Sequence, residues 1–514
     1  MFKRLKDKFS ATNKSKKENI DNKVFSLSKD LEDNIANIKE LFKDDDTLII
    51  RRFENEENKD IKFCILFTDG MISSSMLNDN ILKPILISKT IESKTNLIDT
   101  IMNSILSSNS VKKVTEVNDI IDTLVRGNTL LLAEGTEEAL NIDSKGWQTR
   151  AISEPEAERV MRGSREGFNE SLLMNLSMIR RKLATNNLKF KMRVLGKESK
   201  TKICICYIEG IADKRILDEL NKRLDKINID GITGSGTIVE FIRDFPFSPF
   251  KTIGGTERPD VVAGKLLEGR IAIFMDGTPF ILTLPFVFIE YFQSSEDYYM
   301  NFYYSSTNRI LRIISFIITL SMPALYVALT TFHQEIIPSA FLKSIAAARQ
   351  GVPFPTVIEI LFLLLAFELL RETGTRMPSF SGTAISVVGG LVLGSAAVEA
   401  RIVSAPAVIV VALTAVTGLT TPKLKGPIIV IRLALLLLSA FIGFFGYLFG
   451  ITGLLIHLFQ MRSYSVPYML NVTNLKLDDM KDTIVRVPWN FLRFRSKLIV
   501  SNNLVRNNSG GKKK

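Results

Sequence analysis

Residues 354–378 read FPTVIEILFLLLAFELLRETGTRMP. The run is apolar enough for a membrane helix, yet Glu359 and Glu368 lie inside it. Acids in such a run mark an ion path, a buried pair, or a helix end reaching headgroup water. Prolines 353 and 355 block an earlier helix start, so the pattern predicts a helix from near Thr356 to near Gly374. At about 1.5 Å per residue it barely spans the hydrocarbon. The two glutamates are nine residues apart, or about 900° of rotation at about 100° each, and so face opposite sides. They cannot form a paired acid site on one helix. Glu368 has Arg371 and Glu372 within one turn, and Glu372 has Arg376 four residues on, so this cluster reads as an ion-paired helix end at the cytoplasmic surface. Glu359 and Glu368 are the candidate ion-path or gating residues. In a symmetric oligomer one glutamate becomes a ring, and acid rings select cations.

The surroundings of this run divide the chain. Up to about Asn308 the sequence is charged and mixed; from Arg309 to Arg462 it is dominated by Leu, Ile, Val, Ala, Gly and Phe; beyond that it is polar and basic. The expected architecture is an α/β soluble head of two tandem related subdomains, an α-helical multi-pass membrane domain and a short basic C-terminal tail. The expected boundaries are a basic arm at 1–24, subdomains at 25–150 and 155–290, an interfacial linker at 291–308, a membrane domain of four to six helical segments at 309–462, and a cytoplasmic tail at 463–514. The aromatic, proline-broken stretch 281–304 is expected at the membrane interface. Candidate spans cover about 310–332, with a kink at Pro323, then 356–371, 381–398, 402–421 and 428–459. The last is longer than the roughly 20 residues one span needs, and its middle, GFFGYLFG, offers a turn. Glu399 and Arg401 read as a short charged loop between spans. Head and tail both carry the features of the cytoplasmic side, which requires an even number of crossings.

The head contains a repeat. FCILFTDG (63–70) aligns with ICICYIEG (203–210), and GNTLLLAEGT (127–136) with GRIAIFMDGT (269–278). In each an apolar strand ends in an acid and then a glycine, which suits a tight turn with positive φ. The helical stretch before the second element also recurs, as VNDIIDTLV and PDVVAGKLLE. Two related α/β units follow. The stretch SREGFNESLLMNLSMIRRKL carries Phe168, Leu172, Leu173, Leu176 and Ile179 at helical spacing, with Arg180 to Lys182 at the end where cations suit the dipole. Cys64, Cys204 and Cys206 fall in apolar strand-like runs and read as core thiols of a reducing compartment.

Several function classes are disfavoured. TGSGT (233–237) and IGGTERPD (253–260) do not match a P-loop. With only His333 and His457, a zinc site has almost nothing to be built from. No nucleophile with a paired base and no acid pair in a pocket emerges, so no enzyme, cofactor or metal is expected. The net charge of +12 sits at the termini and beside apolar segments, which points to anionic lipid and cytoplasmic retention rather than nucleic acid. The start, MFKRLKDKFSATNKSKKEN, has no apolar run behind it and is not expected to be a signal peptide.

Four long motifs in order, REGFNESLLMNLSMIRRKL, TERPDVVAGKLLEGRIAIFMDGTP, PFPTVIEILFLLLAFELLRETGTRMP and HLFQMRSYSVPYML, resemble the A subunit of the GerA-type spore germinant receptors. The resemblance covers about 155–470. It implies a protein of the spore inner membrane that works with a transporter-like, nutrient-holding B subunit and a lipoprotein C subunit on the outer face. It also implies that nutrient binding leads to the release of monovalent cations, through a channel that A subunits form as a homo-oligomer. The rival reading is a non-conducting scaffold whose acids pair with partner helices. A nutrient-binding transporter would carry inverted repeats in its membrane part, and the repeat here lies in the head instead.

Overall fold

A computed structural model describes residues 25–89, 97–108, 110–146, 155, 158, 160–376, 390, 394–470, 482–492, 494–495, 498–500 and 503–506. The basic arm 1–24, most of the candidate span 381–398 and the final lysines lie outside the described residues.

The repeat read from the sequence is a repeat of sheets. The first unit has helices α1 (Leu31–Leu41) and α2 (Val117–Val125) and strands β1 (Leu48–Glu54), β2 (Lys62–Thr68), β3 (Val111–Val114), β4 (Thr129–Ala133) and β5 (Ala139–Ile142). The second has α3 (Leu172–Lys182), α4 (Lys214–Asp225), α5 (Ser235–Ile242) and α6 (Pro259–Leu267), with β6 (Leu188–Leu195), β7 (Thr201–Ile208), β8 (Gly254–Thr256), β9 (Ile271–Met275) and β10 (Ile281–Leu284). The strand orders are β1-β2-β4-β5-β3 and β6-β7-β9-β10-β8, the same path twice. Every pairing is antiparallel. The register repeats too: Cys64 opposes Leu132, and Cys204 opposes Phe274. The shared glycines sit where the chain must turn: Gly70 and Gly210 have φ of 77° and 80°, and Gly135 and Gly277 have 81° and 84°.

Alternation along the central strand builds two cores per unit. Cys64 and Leu66 pack against α1 and α2, while Phe63 and Ile65 face the helical turns around Ile81 and Ile101. In the second unit Cys204 and Cys206 meet α3 and α6, and Ile203 and Ile205 meet α4 and α5. All three cysteines are buried free thiols. In α3, Leu172, Leu176 and Ile179 are buried as their spacing predicts, but Leu173 is partly exposed and packs toward Gly70 of the first unit. Arg180 does not simply extend along its helix end. It reaches the first unit, where its Nη2 lies 2.5 Å from Asp45 Oδ2 with both side chains buried.

The stretch 281–304 differs from expectation. Ile281–Leu284 is the buried strand β10, paired with β9 and β8, rather than an interfacial segment. A short apolar run reads alike as buried strand or membrane edge, and only its partners decide. The expected linker also ends early, because helix α7 (Phe302–Thr331) starts where the Asn301 side chain accepts the Tyr303 N–H, and Pro323 lies inside it. Beyond it come α8 (Ser339–Ala348), α9 (Thr356–Arg376), α10 (Ala405–Gly418), α11 (Lys425–Ile442) and α12 (Phe444–Gln460). The helical segments Phe302–Thr331 and Pro422–Ile442 are long and apolar enough to cross a membrane. The long final run breaks at Gly443, whose φ is 68°, and folds back as a hairpin with Gly446 against Leu438 and Gly450 against Leu435.

The segment 463–514 is not a free tail in its described parts. Arg462–Ser463 and Val466–Pro467 pair as β11 and β12 through Tyr464 and Ser465, both at positive φ. Tyr464, Val466, Leu470 and Ile499 complete the core of the second unit, and Val500 bridges to Ala212. One further core joins the second unit to α7, α11, α12 and the segment after them: Phe286, Tyr291 and Phe292 before α7, Phe316 and Leu320 in α7, Ile428 and Leu435 in α11, Leu458 in α12, and Tyr468.

Candidate functional site

Helix α9 carries both predicted acids, and each meets a different neighbour. Glu359 is buried. One of its oxygens accepts the backbone N–H of Ser404, the residue that precedes α10. The other lies 3.9 Å from Arg349 Nε, just past α8. A carboxylate at a helix N-terminus is favoured by the unpaired N–H groups there. Glu359 therefore ties the far end of α9 to α10 and α8.

Glu368 lies near the opposite end and faces α11. Its Oε1 is 2.8 Å from Arg432 Nη2, and its other oxygen is held by Arg371 one turn along α9. The Arg432 side chain is 5% exposed and that of Glu368 20%, so the bond is largely shielded from solvent. Outward from it, Glu372 pairs with Arg376 at 2.9 Å and lies 3.9 Å from Lys425 at the start of α11. Next to Lys425, Lys423 bonds Glu158 of the second head unit at 2.7 Å. This places the Arg371, Glu372 and Arg376 end of α9 on the head side of the bundle.

The carboxylates thus contact different helices, at the two ends of α9. Both have cationic partners inside the chain, so neither is a bare acid. The open face of α9 is apolar: Ile358, Phe362, Leu365 and Leu369, at spacings of one turn, are each about half exposed. The partners Arg432, Arg349 and Ser404 escape the sequence reading. Arg432 had a signal, since a lone arginine within IVIRLALLLLSAF demands a counter-charge as much as a glutamate does. Ser404 donates through its backbone and leaves no signal in residue identity.

A second charged cluster fastens the head to α7. Arg309, fully buried, bonds Asp297 through Nε and Asp482 through Nη1, each at 2.8 Å. Arg312 adds a bond to Asp297 at 3.0 Å, and the Tyr298 hydroxyl donates to Asp482 at 2.8 Å. Beside it, Glu290 meets Arg270 at 2.8 Å and Lys265 at 2.9 Å. Burial alone would raise the Glu290 carboxyl. The charges of Arg270 and Lys265 overcome that and hold it at about 2. The sequence alone does not reveal the acids that Arg309 meets, which lie 12 and 173 positions away.

Among the described residues no group of three or more His, Cys, Asp or Glu side chains could hold a metal. The arrangement offers buried ion pairs that link helices to each other and to the head.

The chain matches the profile described as "Bacillus/Clostridium GerA spore germination protein" over residues 36–498. It is 41% identical over 465 residues to spore germination protein KA of Bacillus subtilis (strain 168), covering 90% of this chain and 85% of that protein. It is 35% identical over 471 residues to spore germination protein B1 of the same organism, covering 91% and 97%. It is also similar, at 34% identity and a TM-score of 0.42, to the N-terminal domain of the A subunit of the Bacillus megaterium spore germinant receptor GerK3, covering 52% of this chain and 98% of that structure. This chain belongs to the Bacillus/Clostridium GerA family of spore germination proteins.

Proposed function

We propose that this chain is the A subunit of a nutrient-sensing germinant receptor, in which it oligomerises to form or gate a monovalent-cation channel. It works with a transporter-like B subunit that holds the nutrient and a lipoprotein C subunit, in the inner membrane of the spore. The head is cytoplasmic and the bundle crosses the membrane several times. An even number of crossings is supported by the chain's return to the head after α12, where the Ser248 hydroxyl lies 2.8 Å from His457. The chain is not an enzyme in this reading, and it uses no cofactor.

The observation that carries the proposal is the shielded Glu368–Arg432 bond between α9 and α11. A buried ion pair contributes little net stability over an apolar pair, but it is costly to break and so suits a two-state element. Within one protomer the pair closes the acid off. In an oligomer, parting α9 from α11 frees a carboxylate toward the shared axis, where a ring of them favours cations. A scaffold that only relays the signal is the second reading. It is favoured by Glu359, whose burial against Ser404 gives that acid a purely structural task.

The test is germinant-triggered release of monovalent cations from spores whose only receptor carries this A subunit, wild type against Glu368→Gln at matched abundance. A changed flux or ion preference supports the channel. Unchanged release with intact assembly sinks the gating role of Glu368 and leaves the scaffold.

A further inference from the structure

A cavity of about 470 Å³ opens where the second head unit, α7, the turn into α11 and the C-terminal segment meet. IGGTERPD, the glycine-rich stretch that matched no phosphate motif, forms one wall as β8 and the start of α6. One face of α6 forms the next, with Val261, Gly264, Lys265 and Glu268. Arg312 of α7, Lys423 of the turn, and Trp489 and Arg506 of the C-terminal segment close it.

Seven lysines and arginines line the space against four aspartates and glutamates. Asp297 neutralises Arg312 from just outside the lining. Positive charge remains in excess by two, counting Asp297 with the four lining acids. Lys251, on the rim, makes no ion pair among the described residues. Lys265 is held by the Thr283 hydroxyl and Glu290, each at 2.9 Å, and burial pushes its ammonium down despite the acid beside it. Bringing a second anion near would restore what burial removes. Open space lies beside Gly255 and Gly264, where a Cβ would meet nothing within 4 Å. Trp489 supplies a flat apolar wall, with the Arg506 guanidinium 4.9 Å from its ring centre. The volume far exceeds a bare inorganic ion and falls in the range of small-molecule sites, roughly 300–1,000 Å³.

We propose that this cavity binds an organic phosphate, its anionic group among Lys265, Lys423 and Arg506 and its organic part against Trp489. Such a ligand touches the head, the first long helix, the turn into α11 and the C-terminal segment at once. Its occupancy fastens the joint through which any head motion reaches the bundle. The chemistry fits two sources, the headgroup of an anionic phospholipid or a soluble phosphate ester.

The full chain carries two tryptophans, so Trp147→Phe leaves Trp489 as the sole reporter. The protein is placed in nanodiscs of neutral phosphatidylcholine in phosphate-free buffer and titrated with glycerol 3-phosphate, with sodium chloride matched for ionic strength. A parallel set of discs contains phosphatidylglycerol. A saturable change in Trp489 emission with glycerol 3-phosphate assigns a soluble ligand; a change only in phosphatidylglycerol discs assigns the headgroup. Gly264→Leu fills the cavity without touching a charge and is expected to weaken either response at least tenfold. Lys423→Gln with Arg506→Gln, at the rim, is expected to do the same, and it stands in if Gly264→Leu fails to fold. No saturable change in either set of discs, or full binding by both folded variants, overturns the proposal.

Discussion

Removing Glu368 should cost far more than removing its partner, and removing both should cost little. Arg432 is nearly enclosed and Glu368 is its ion-pair partner at 2.8 Å. Glu368 has a second cation, Arg371. Charge centres about 4 Å apart attract by about 4 kcal/mol at an effective dielectric near 20. Glu368 divides its charge between two arginines and keeps some water contact, so about half, ~2 kcal/mol, belongs to the Arg432 bond. Glu368→Leu leaves Arg432 uncompensated among apolar helices and should destabilise by about 3 kcal/mol. Arg432→Leu leaves Glu368 with Arg371 and should cost about 1 kcal/mol. The double Leu variant should return to within about 1 kcal/mol of wild type, because an apolar pair of similar volume replaces a buried ion pair at little cost. The assay is a double-mutant cycle on unfolding of the purified full chain in nanodiscs, read beside cation leak from spores. A closing bond of ~2 kcal/mol shifts a two-state equilibrium by about 30-fold. Arg432→Leu, which breaks the bond and keeps the carboxylate, should therefore raise germinant-independent leak. Equal single costs that simply add in the double variant would refute the latch.

Other consequences are open to direct measurement. Glu290 is held at about 2, below its usual 4.5, so its stabilising effect is full above about pH 4.5 and lost as pH falls through 2. Glu290→Gln should lower stability by about 3 kcal/mol at neutral pH and flatten the acid limb between those values in a pH series of unfolding midpoints. Asp45→Ala strands the buried Arg180 and should cost about 3–5 kcal/mol, uncoupling the two head units in limited proteolysis. Gly277→Ala, at φ 84° with open space around it, should cost about 1 kcal/mol by chemical denaturation, and Gly127→Ala more, because its Cβ meets Met71 at 3.0 Å. Glu359→Leu removes the acceptor for the Ser404 N–H and should cost about 1–2 kcal/mol without altering ion preference in the cation-release assay.

The repeat was legible because its signal is local. An apolar strand, an acid and a glycine sit next to each other in sequence, and the positive φ at Gly70 and Gly210 follows from that order. The helix carrying Glu359 and Glu368 was legible for the same reason, with prolines before it and periodic charge at its end. What stayed hidden depends on long-range pairing. Ile281–Leu284 becomes a strand only because β9 and β8 lie on either side of it. The task of Glu368 depends on an arginine 64 positions away. The identity of a residue says that it needs a partner, and three-dimensional packing says which one.

The C-terminal segment changes how the joint must work. Had 463–514 been a free tail, the head would hang from α7 alone. Instead Asp482 closes on Arg309 at the base of α7, and Tyr468 donates to the Lys251 carbonyl at 2.8 Å in the head. The Phe286 N–H reaches Ser463 at 3.1 Å. The head is thus held by the chain on both sides of the bundle, through α7 and through the exit of α12. Two attachments resist swinging about a single hinge. Motion passed from head to bundle must move α7 and α12 together, and α11, packed against both, moves with them. Arg432 rides on α11. In the gating reading proposed above, a displacement at the junction arrives at the Glu368–Arg432 bond through the side chains packed among α7, α11 and α12.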